Sequence, residues 1–401
     1  LFSFFLLSNN IFGAEPVLKS KKNNSNFIKL IGDACSAPSS SAYLDIGNVR
    51  ALVLGGGDMW WDLSAAQYEV PKNGDIHSIF AGALWIGGLD DSNNLKVAAM
   101  TYRTSGVDFF PGPLNGNSES SEYGTVDAEI CNEYNEHWSI KLSEVEAFLD
   151  YNNCIENPEC NENETYPEYE IPDAILNWPS SRIDVDGTYD YLAPYIDLNG
   201  DGEYNGSDYP AYNISGDLNC SNDDMLFGDQ SIWWVFNDRG NYHGETGGAE
   251  IGLEIQAQAF AYKTVDELGD MTFYSYKIIN RSNETLNETY FGQWVDPDVG
   301  NYQDDYIGCD VNLGLGYCYN GDSNDEADVL QGVNGYGENP PAVGVDFFRG
   351  PLADDNDGVD NDRDGVIDEE GEQIIMSKFV YYNNAAWDTD IYDWNNDPVY
   401  A

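Results

Sequence analysis

The sequence predicts an all-β fold, in which tandem β-sandwich modules are accompanied by one or two short helices. Short apolar segments recur along the chain, separated by turns rich in Gly, Asp and Asn, and this pattern is typical of sandwiches and barrels. Residues 250–262 alternate apolar and polar side chains over a long stretch, as a half-buried strand does. Strands do not alternate with long helical patterns, so a parallel α/β sheet is not expected.

The first half of the chain contains three predicted strands and one predicted helix. The strands lie at 49–54, 78–88 and 95–103. The helix lies at 140–149, where Ser143 and Glu146 fit a capping box. Its apolar face at helical spacing consists of Leu142, Val145, Phe148 and Leu149.

The second half contains four predicted strands. They lie at 231–236, 250–262, 271–280 and 289–295. Residues 281–288 connect the last two and suit a hairpin, so these two strands are expected to pair with each other.

Changes in composition predict four segments. They are a signal-peptide remnant (1–14), a flexible leader (15–47), an N-terminal β-rich module with a short helix (48–180) and a second β-sandwich module (181–401). The first segment is apolar and ends in small residues, which predicts export, although a buried strand would show the same pattern. The second is polar and rich in Ser, Asn and Lys, as flexible segments are.

The net charge limits the partners that this chain can have. The 401 residues carry 17 Lys and Arg against 71 Asp and Glu, a formal charge of −54. Nucleic acid and anionic membranes bind clustered cations, so neither partner is expected, and no apolar run is long enough for a transmembrane helix. The acidity reflects either a surface adapted to salt or carboxylates gathered in cation-binding loops. The second explanation is favoured because much of the Asp lies beside Gly or Asn.

Seven cysteines stand at positions 35, 131, 154, 160, 220, 309 and 318. In an exported protein some of them should form disulfides. Cys154 with Cys160, and Cys309 with Cys318, are close enough in sequence to close small loops. The connectivity stays open and one thiol is left over, while the absence of a CxxC motif argues against zinc or redox chemistry.

Residues 197–208 match a twelve-residue calcium loop. Oxygen-bearing side chains stand at loop positions 1, 3, 5, 7, 9 and 12, and Gly202 stands at position 6, where the backbone turns sharply. The predicted ligands are Asp197, Asn199, Asp201, the backbone carbonyl of Glu203, Asn205 and Asp208. A solvated acidic turn is the alternative. The flanking residues do not resemble two long helices, so the sequence predicts a calcium loop within a β-rich protein.

A second acidic run, at 354–372, repeats this pattern in overlapping form. Its predicted ligands are Asp355, Asp357, Asp360, Asp362, Asp364 and Asp368. Loop position 12 is Gly371, which has no side chain, so Glu369, Glu370 or Glu372 is expected to close the site. Overlapping acidic repeats of this kind resemble thrombospondin type 3 repeats, which wrap several calcium ions with little other core. Without cations, so many adjacent carboxylates would repel one another.

Two further acidic segments are weaker candidates. The first begins at Asp296-Pro297-Asp298 and continues with Asp304, Asp305 and Asp310. The second, at 184–187, has too few oxygen ligands and is expected to be a turn. Calcium is therefore expected mainly at 197–208 and 354–372.

Catalytic motifs are absent from the sequence. The chain has neither an HExxH zinc motif nor a GxSxG nucleophile elbow. His243 and Glu245 could form an acid–base pair, but a lone histidine in a glycine-rich turn is more often structural. The adjacent pairs Trp60-Trp61 and Trp233-Trp234 place one ring on each face of a strand, so one ring of each pair is expected in the core. The other ring is either covered or exposed as a platform for sugars or a partner.

Several segments resemble large secreted proteins of Bacteroidota. They lie at 57–62, 80–88, 229–238, 304–310 and 342–352. Such proteins commonly leave the cell through the type 9 secretion system and stay at the surface or in the medium. The sorting domain of that route would lie beyond residue 401, in a longer protein. The resemblance implies a location more than an activity.

Taken together, the sequence predicts an exported, calcium-binding structural or adhesive protein of the cell surface or matrix, without catalytic activity. Its expected partners are calcium ions, other surface proteins, itself or polysaccharide. The alternative is a secreted carbohydrate-binding module or a component of a polysaccharide hydrolase that uses exposed aromatic rings.

Overall fold

The computed structural model describes residues 34–183, 189–212, 214, 225–330, 332–354 and 356–381. Antiparallel strands dominate these residues, which confirms the predicted all-β class. The chain divides into two compact units, of which one ends at Asp296 and the other begins at Pro297. We call residues 34–296 the N-terminal unit and residues 297–381 the C-terminal unit.

Each strand predicted from the sequence overlaps an observed strand. The observed strands of the N-terminal unit are β1 (Ser41–Leu44), β2 (Arg50–Leu54), β3 (Asp58–Met59), β4 (Tyr68–Glu69), β5 (His77–Ile79), β6 (Ala81–Leu89), β7 (Leu95–Ala99), β8 (Phe110–Pro111), β9 (Trp138–Lys141), β10 (Ser181–Ile183), β11 (Tyr189–Tyr191), β12 (Tyr195–Ile196), β13 (Tyr209–Pro210), β14 (Gln230–Asn237), β15 (Leu253–Ala261), β16 (Phe273–Asn280) and β17 (Asn287–Asp296). Those of the C-terminal unit are β18 (Asp305–Asp310), β19 (Leu315–Asn320), β20 (Asn324–Asp325), β21 (Gly337–Glu338) and β22 (Ala342–Asp346). The helices are α1 (Ala128–Glu133), α2 (Leu142–Glu156), α3 (Glu162–Thr165) and α4 (Asp173–Leu176), with 3₁₀ turns at Glu267–Asp270 and Tyr302–Asp304.

Two antiparallel sheets form the centre of the N-terminal unit. The eight-stranded sheet has the order β17-β6-β3-β2-β4-β5, with β1 on β2 and β7 on β6. The five-stranded sheet has the order β16-β15-β14-β8, with β9 on β14. The compact units therefore do not follow the boundary predicted at 180/181, because strands from both sides of that point pair: β8 and β9 pair with β14, and β6 pairs with β17.

The hairpin predicted around residues 281–288 is wrong. β16 pairs with β15, whereas β17 pairs with β6 in the other sheet, so this connection crosses from one sheet to the other. The edge of β6 accepts β17 because Gly88 has no side chain: a Cβ there would lie 2.7 Å from Leu286 Cγ and 2.9 Å from the carbonyl oxygen of Asn287. Spacing in the sequence shows where the two strands lie but not which partners they choose.

The inner faces of the two sheets pack against each other. Trp60 of the loop after β3 donates its indole N–H to Tyr274 Oη of β16 over 2.7 Å, and the two rings meet edge to face. All four paired tryptophans are buried, with exposures of 3% for Trp60, 4% for Trp61, 3% for Trp233 and 1% for Trp234. The suggestion that one ring of each pair forms an exposed platform is therefore wrong.

Helix α2 and the segments around it cover the other face of the five-stranded sheet. Val145 and Phe148 of the helix are buried in one core with Trp233 and Val235 of β14, and Leu142 and Leu149 pack at its edge. This confirms the predicted apolar face. The helix begins earlier than its predicted capping box, since Glu144 Oε2 accepts the backbone N–H of Lys141 over 2.7 Å. The N-terminal unit is a sandwich with a helical layer on one side.

The end of the predicted flexible leader is ordered. Residues 1–33 lie outside the described residues, but β1 pairs with β2, and Cys35 forms a disulfide with Cys131 that was not predicted. The Cys154–Cys160 disulfide confirms one of the suggested pairs.

The second suggested pair does not form, and both Cys309 and Cys318 are free thiols. The register of β18 and β19 separates them, because it places Cys309 opposite Gly316 and Cys318 opposite Ile307. Cys220 lies outside the described residues. Across the described part of the chain, no helix combines the length and apolar character needed to cross a membrane.

Candidate metal centre

The acidic run 354–372 is a closed loop of the C-terminal unit. Its two ends pair like neighbouring strands: the N–H of Ala353 donates to the carbonyl of Glu372 over 2.9 Å, and the N–H of Ile374 donates to that of Pro351 over 2.8 Å. Leu352 and Gln373 form a β-bridge between these bonds. The run is thereby folded back on itself, which brings carboxylates distant in sequence close together.

Two groups of three carboxylates meet inside this loop. Asp360, Asp362 and Glu372 each offer one oxygen within 4.8 Å of the other two, and Asp362, Asp364 and Glu369 do the same. Asp362 belongs to both groups. We call these five residues the carboxylate cluster. Carboxylate oxygens this close together are the ligands that hard divalent cations bind.

Three oxygens of the carboxylate cluster are buried without a hydrogen-bond partner. They are Asp360 Oδ1, Glu369 Oε2 and Glu372 Oε2. Glu372 is only 5% exposed as a whole residue. A buried acceptor left unpaired costs about 1–3 kcal/mol, and more when it is charged, so native structures rarely keep several together without water or an ion.

Mutual repulsion within the carboxylate cluster is visible at Glu369. A backbone hydrogen bond lowers the pKa of this carboxyl, but burial and the charges of Glu372, Asp364 and Asp362 act in the opposite direction and raise it overall. A cation between the carboxylates would remove this repulsion.

The remaining carboxylates of the run stabilise turns of the backbone. Asp357 accepts the N–H of Val359 over 2.8 Å, and Asp368 accepts the N–H groups of Asn356 and Gly358 over 3.1 and 3.0 Å. Asp355 lies outside the described residues. Of the predicted ligands, Asp360, Asp362 and Asp364 therefore meet, whereas Asp357 and Asp368 take other roles.

Glu369 and Glu372 complete the two groups, and both are among the three glutamates that the sequence offers for closing the site. Glu370 is not part of either group. Glu372 also accepts the backbone N–H of Asn361 through Oε1, so that only its second oxygen remains unpartnered. The sequence could not choose among the three glutamates, because the choice depends on how the chain folds back after Asp368.

The loop 197–208 joins β12 to β13, which pair through Ile196 and Tyr209 at its base. Asp208 is 1% exposed, and its two oxygens accept the N–H groups of Leu198 and Asn205 over 2.9 and 2.8 Å. The loop is therefore held shut at its base by a buried carboxylate.

The other predicted ligands of this loop hydrogen-bond to one another and to the backbone. The amide nitrogens of Asn199 and Asn205 lie 2.8 and 2.9 Å from Asp201 Oδ2. Asp197 accepts the N–H groups of Gly200 and Gly202 over 2.6 and 2.8 Å. The φ angle of 81° at Gly202 is the sharp turn that position 6 requires.

The carbonyl oxygen of Glu203 lies 3.2 Å from the amide nitrogen of Asn205. The backbone N–H of Glu203 lowers the pKa of Asp201, which therefore stays ionised. The structure brings the predicted side chains together. The groups that face Asp201 are amide nitrogens, however, and nitrogen donors of this kind do not bind a cation.

The weaker candidates do not assemble in this way. Among the described residues, both three-carboxylate groups lie in 360–372, and none includes Asp304, Asp305 or Asp310. Asp305 accepts the N–H of Val299 over 2.7 Å, and burial raises its pKa to about 6. Residues 184–187 lie outside the described part of the chain.

His243 is structural and not accessible for catalysis. It is 1% exposed, and its Nδ1 and Nε2 lie 2.8 and 2.6 Å from the carbonyl oxygens of Val97 and Asp238. Glu245 instead accepts the hydroxyl of Thr101 over 2.5 Å.

Comparisons with known family models, curated proteins and solved structures found no match to this chain.

Proposed function

We propose that this chain is an exported, calcium-binding structural or adhesive protein without catalytic activity. One observation carries the proposal. The carboxylate cluster forms two groups of three carboxylates, and three of its oxygens are buried without a hydrogen-bond partner. An uncompensated group of this kind is costly, and a divalent cation shared among the carboxylates would remove the cost.

Calcium is the cation that the donor set favours. The carboxylate cluster offers oxygen ligands alone, arranged on an irregular loop, and calcium accepts six to eight such ligands in flexible geometry. Magnesium prefers strict octahedral geometry and keeps several waters. The loop 197–208 is a second proposed site, where binding requires the side-chain amides of Asn199 and Asn205 to turn their oxygens, instead of their nitrogens, toward an ion beside Asp201.

Export is supported by the disulfides. Cys35–Cys131 and Cys154–Cys160 are bonds of a kind that persists in oxidising surroundings outside the cytoplasm. Secretion by the type 9 route, and a place at the surface of a Bacteroidota cell, rest on the resemblance described above and belong to this proposal. The structural role follows from the cost of the unpaired carboxylate oxygens, since a cation that relieves repulsion in a loop also orders that loop.

The proposal is tested by calcium titration calorimetry of the chelator-treated protein, together with thermal unfolding in calcium and in chelator. Calcium at about twenty times its Kd should stabilise the protein by roughly 2 kcal/mol per site. Glu372→Gln should reduce both the heat of binding and this stabilisation. Glu370→Gln is the matched control, since Glu370 is an exposed neighbour outside both carboxylate groups, and it should behave like the unmodified chain. Absence of heat, with identical unfolding in calcium and chelator, would refute calcium binding.

A further inference from the structure

Three tyrosines lie on one face of the sheet β18-β19-β22. The register pairs Tyr306 with Tyr319 and Gly308 with Tyr317, which puts all three side chains on the same face. Their exposures are 59% for Tyr306, 38% for Tyr317 and 43% for Tyr319. We call these three residues the tyrosine row. Contiguous exposed aromatic rings are uncommon on a protein surface and mark interaction sites.

The rings of the tyrosine row lie nearly parallel. Tyr306 and Tyr319 have centroids 6.1 Å apart and ring planes inclined by 25°, and Tyr317 and Tyr319 have centroids 6.2 Å apart with planes inclined by 31°. The three rings therefore have similar orientations and lie next to one another on the exposed face.

Glycine keeps this face flat. A Cβ on Gly308 would lie 2.4 Å from Tyr317 Cζ, so the ring of Tyr317 lies directly over the glycine. On the third strand, Gly344 stands opposite Tyr317. A larger residue at position 308 would lift the ring of Tyr317 away from the sheet.

The opposite face of the same sheet is the one that packs within the C-terminal unit. Cys318 on that face is 1% exposed, and Phe379 packs over Gly316, where a Cβ would lie 2.9 Å from its ring. The tyrosine row therefore lies on the outer face of the sheet and is not part of this core.

We propose that the tyrosine row binds an uncharged, ribbon-like polysaccharide by stacking its rings on the apolar faces of successive sugars. Neighbouring exposed rings of similar orientation suit a flat polymer whose sugar rings present C–H faces in sequence, and aromatic rings combine apolar area with little side-chain entropy. Tyr317 and its neighbours bind here independently of the carboxylate cluster, so this proposal does not rest on calcium.

The charge of the chain selects the class of polysaccharide. Asp310 and Asp346 are exposed on the same face, both opposite Leu315 of β19, at one end of the tyrosine row. Carboxylates accept hydrogen bonds from sugar hydroxyls, whereas they repel uronic acids and sulfated sugars. The net charge of −54 adds to that repulsion. A neutral polymer is therefore the occupant that fits.

The test is affinity electrophoresis and calorimetry of the full chain, in saturating calcium, with three uncharged β-1,4-linked polymers: hydroxyethylcellulose, xyloglucan and galactomannan. Carboxymethylcellulose is the matched anionic polymer. We expect saturable binding to at least one neutral polymer and none to the anionic one. Tyr306→Ala and Tyr319→Ala should each weaken binding by about three- to tenfold, as expected for loss of one stacked ring. Gly308→Val should weaken it by lifting Tyr317.

Tyr290→Ala is the matched control, because Tyr290 is 69% exposed on β17 and belongs to the N-terminal unit. It should bind like the unmodified chain, and melting temperatures of all variants should show that each is folded. Failure to bind any of the neutral polymers would overturn the proposal. A loss of affinity in Tyr290→Ala as large as that in Tyr306→Ala or Tyr319→Ala would overturn it as well. Sedimentation that shows dimers dissociated by the tyrosine substitutions, without polysaccharide binding, would instead identify the row as a contact between copies of this chain.

Discussion

At the scale of single residues, two kinds of buried acidic side chain occur among the described residues. Asp238 is fully buried, and its oxygens accept three backbone N–H groups, from Ile251, Gly252 and Leu253. Glu372 is nearly as buried but has one oxygen without any donor. Burial raises the pKa of Asp238 in spite of its hydrogen bonds. A high content of acidic residues therefore does not by itself indicate cation sites, and a cation is proposed only for the second kind.

His137 should make the protein sensitive to acid. Burial lowers its pKa to about 3, although the carbonyl of Leu54 acts in the opposite direction, and its ring lies 5.3 Å from that of Trp234. The folded state therefore binds this proton more weakly than the unfolded chain does. The stability that the neutral ring contributes is fully present above the unfolded pKa of about 6.5 and is lost as pH falls toward 3.

His137→Phe keeps a ring beside Trp234 and has no proton to bind. Its free energy of unfolding is measured by urea at about pH 7.5 and about pH 4.5. Between these two pH values it should fall by roughly 2.5 kcal/mol less than the free energy of unfolding of the unmodified chain does. The value at the higher pH is the internal control, since the ring is neutral there in both proteins. Parallel loss of stability in the two proteins would show that His137 does not titrate in this way.

At the scale of elements, the loops at 197–208 and 354–372 share a sequence pattern but not a structure. In the first, Asp208 closes the base of the loop, and the asparagine amides converge on Asp201. In the second, the carboxylates face one another in groups of three. A loop that satisfies its own acceptors needs no ion to pair them, whereas buried carboxylate oxygens without a donor are costly unless an ion or water pairs them. The second loop should therefore depend more strongly on calcium.

Asp208→Asn should destabilise the first loop. The side-chain amide keeps one acceptor but places a donor against the N–H of Leu198 or of Asn205, at a cost of about 1–3 kcal/mol. Urea unfolding in chelator measures the change. Asp201→Asn is the comparison, because Asp201 is exposed and its substitution should destabilise the protein less than Asp208→Asn does. A larger effect at Asp201 than at Asp208, seen only in calcium, would mean that ion binding outweighs the hydrogen bonds of the loop.

At the scale of the whole molecule, each compact unit holds one of the two loops. The N-terminal unit has a sandwich with a buried aromatic core, while the C-terminal unit has a three-stranded sheet followed by the acidic run. Small cores provide little stability of their own, so the second unit is the one that metal binding should support.

Scanning calorimetry should therefore show two transitions, of which chelator lowers one more than the other. In calcium, Glu372→Gln should lower the transition that is more sensitive to chelator, while Asp208→Asn should lower the other. This pair of variants assigns the transitions to the units, because Glu372 belongs to the C-terminal unit and Asp208 to the N-terminal unit. A single transition that both variants shift equally would contradict the expectation that the two units unfold separately.

The sequence by itself determined the β class, the positions of the main strands and of helix α2, and the two acidic loops. These features depend on local patterns. They are the alternation of apolar and polar residues along a strand, the helical spacing of apolar residues in 142–149, and the oxygen-bearing side chains around Gly202. Tertiary structure decided which strands pair, that the four paired tryptophans are covered, and that Glu369 and Glu372 complete the carboxylate cluster. The reason is that these outcomes depend on contacts between residues far apart in the chain, such as β6 with β17, which no local pattern encodes.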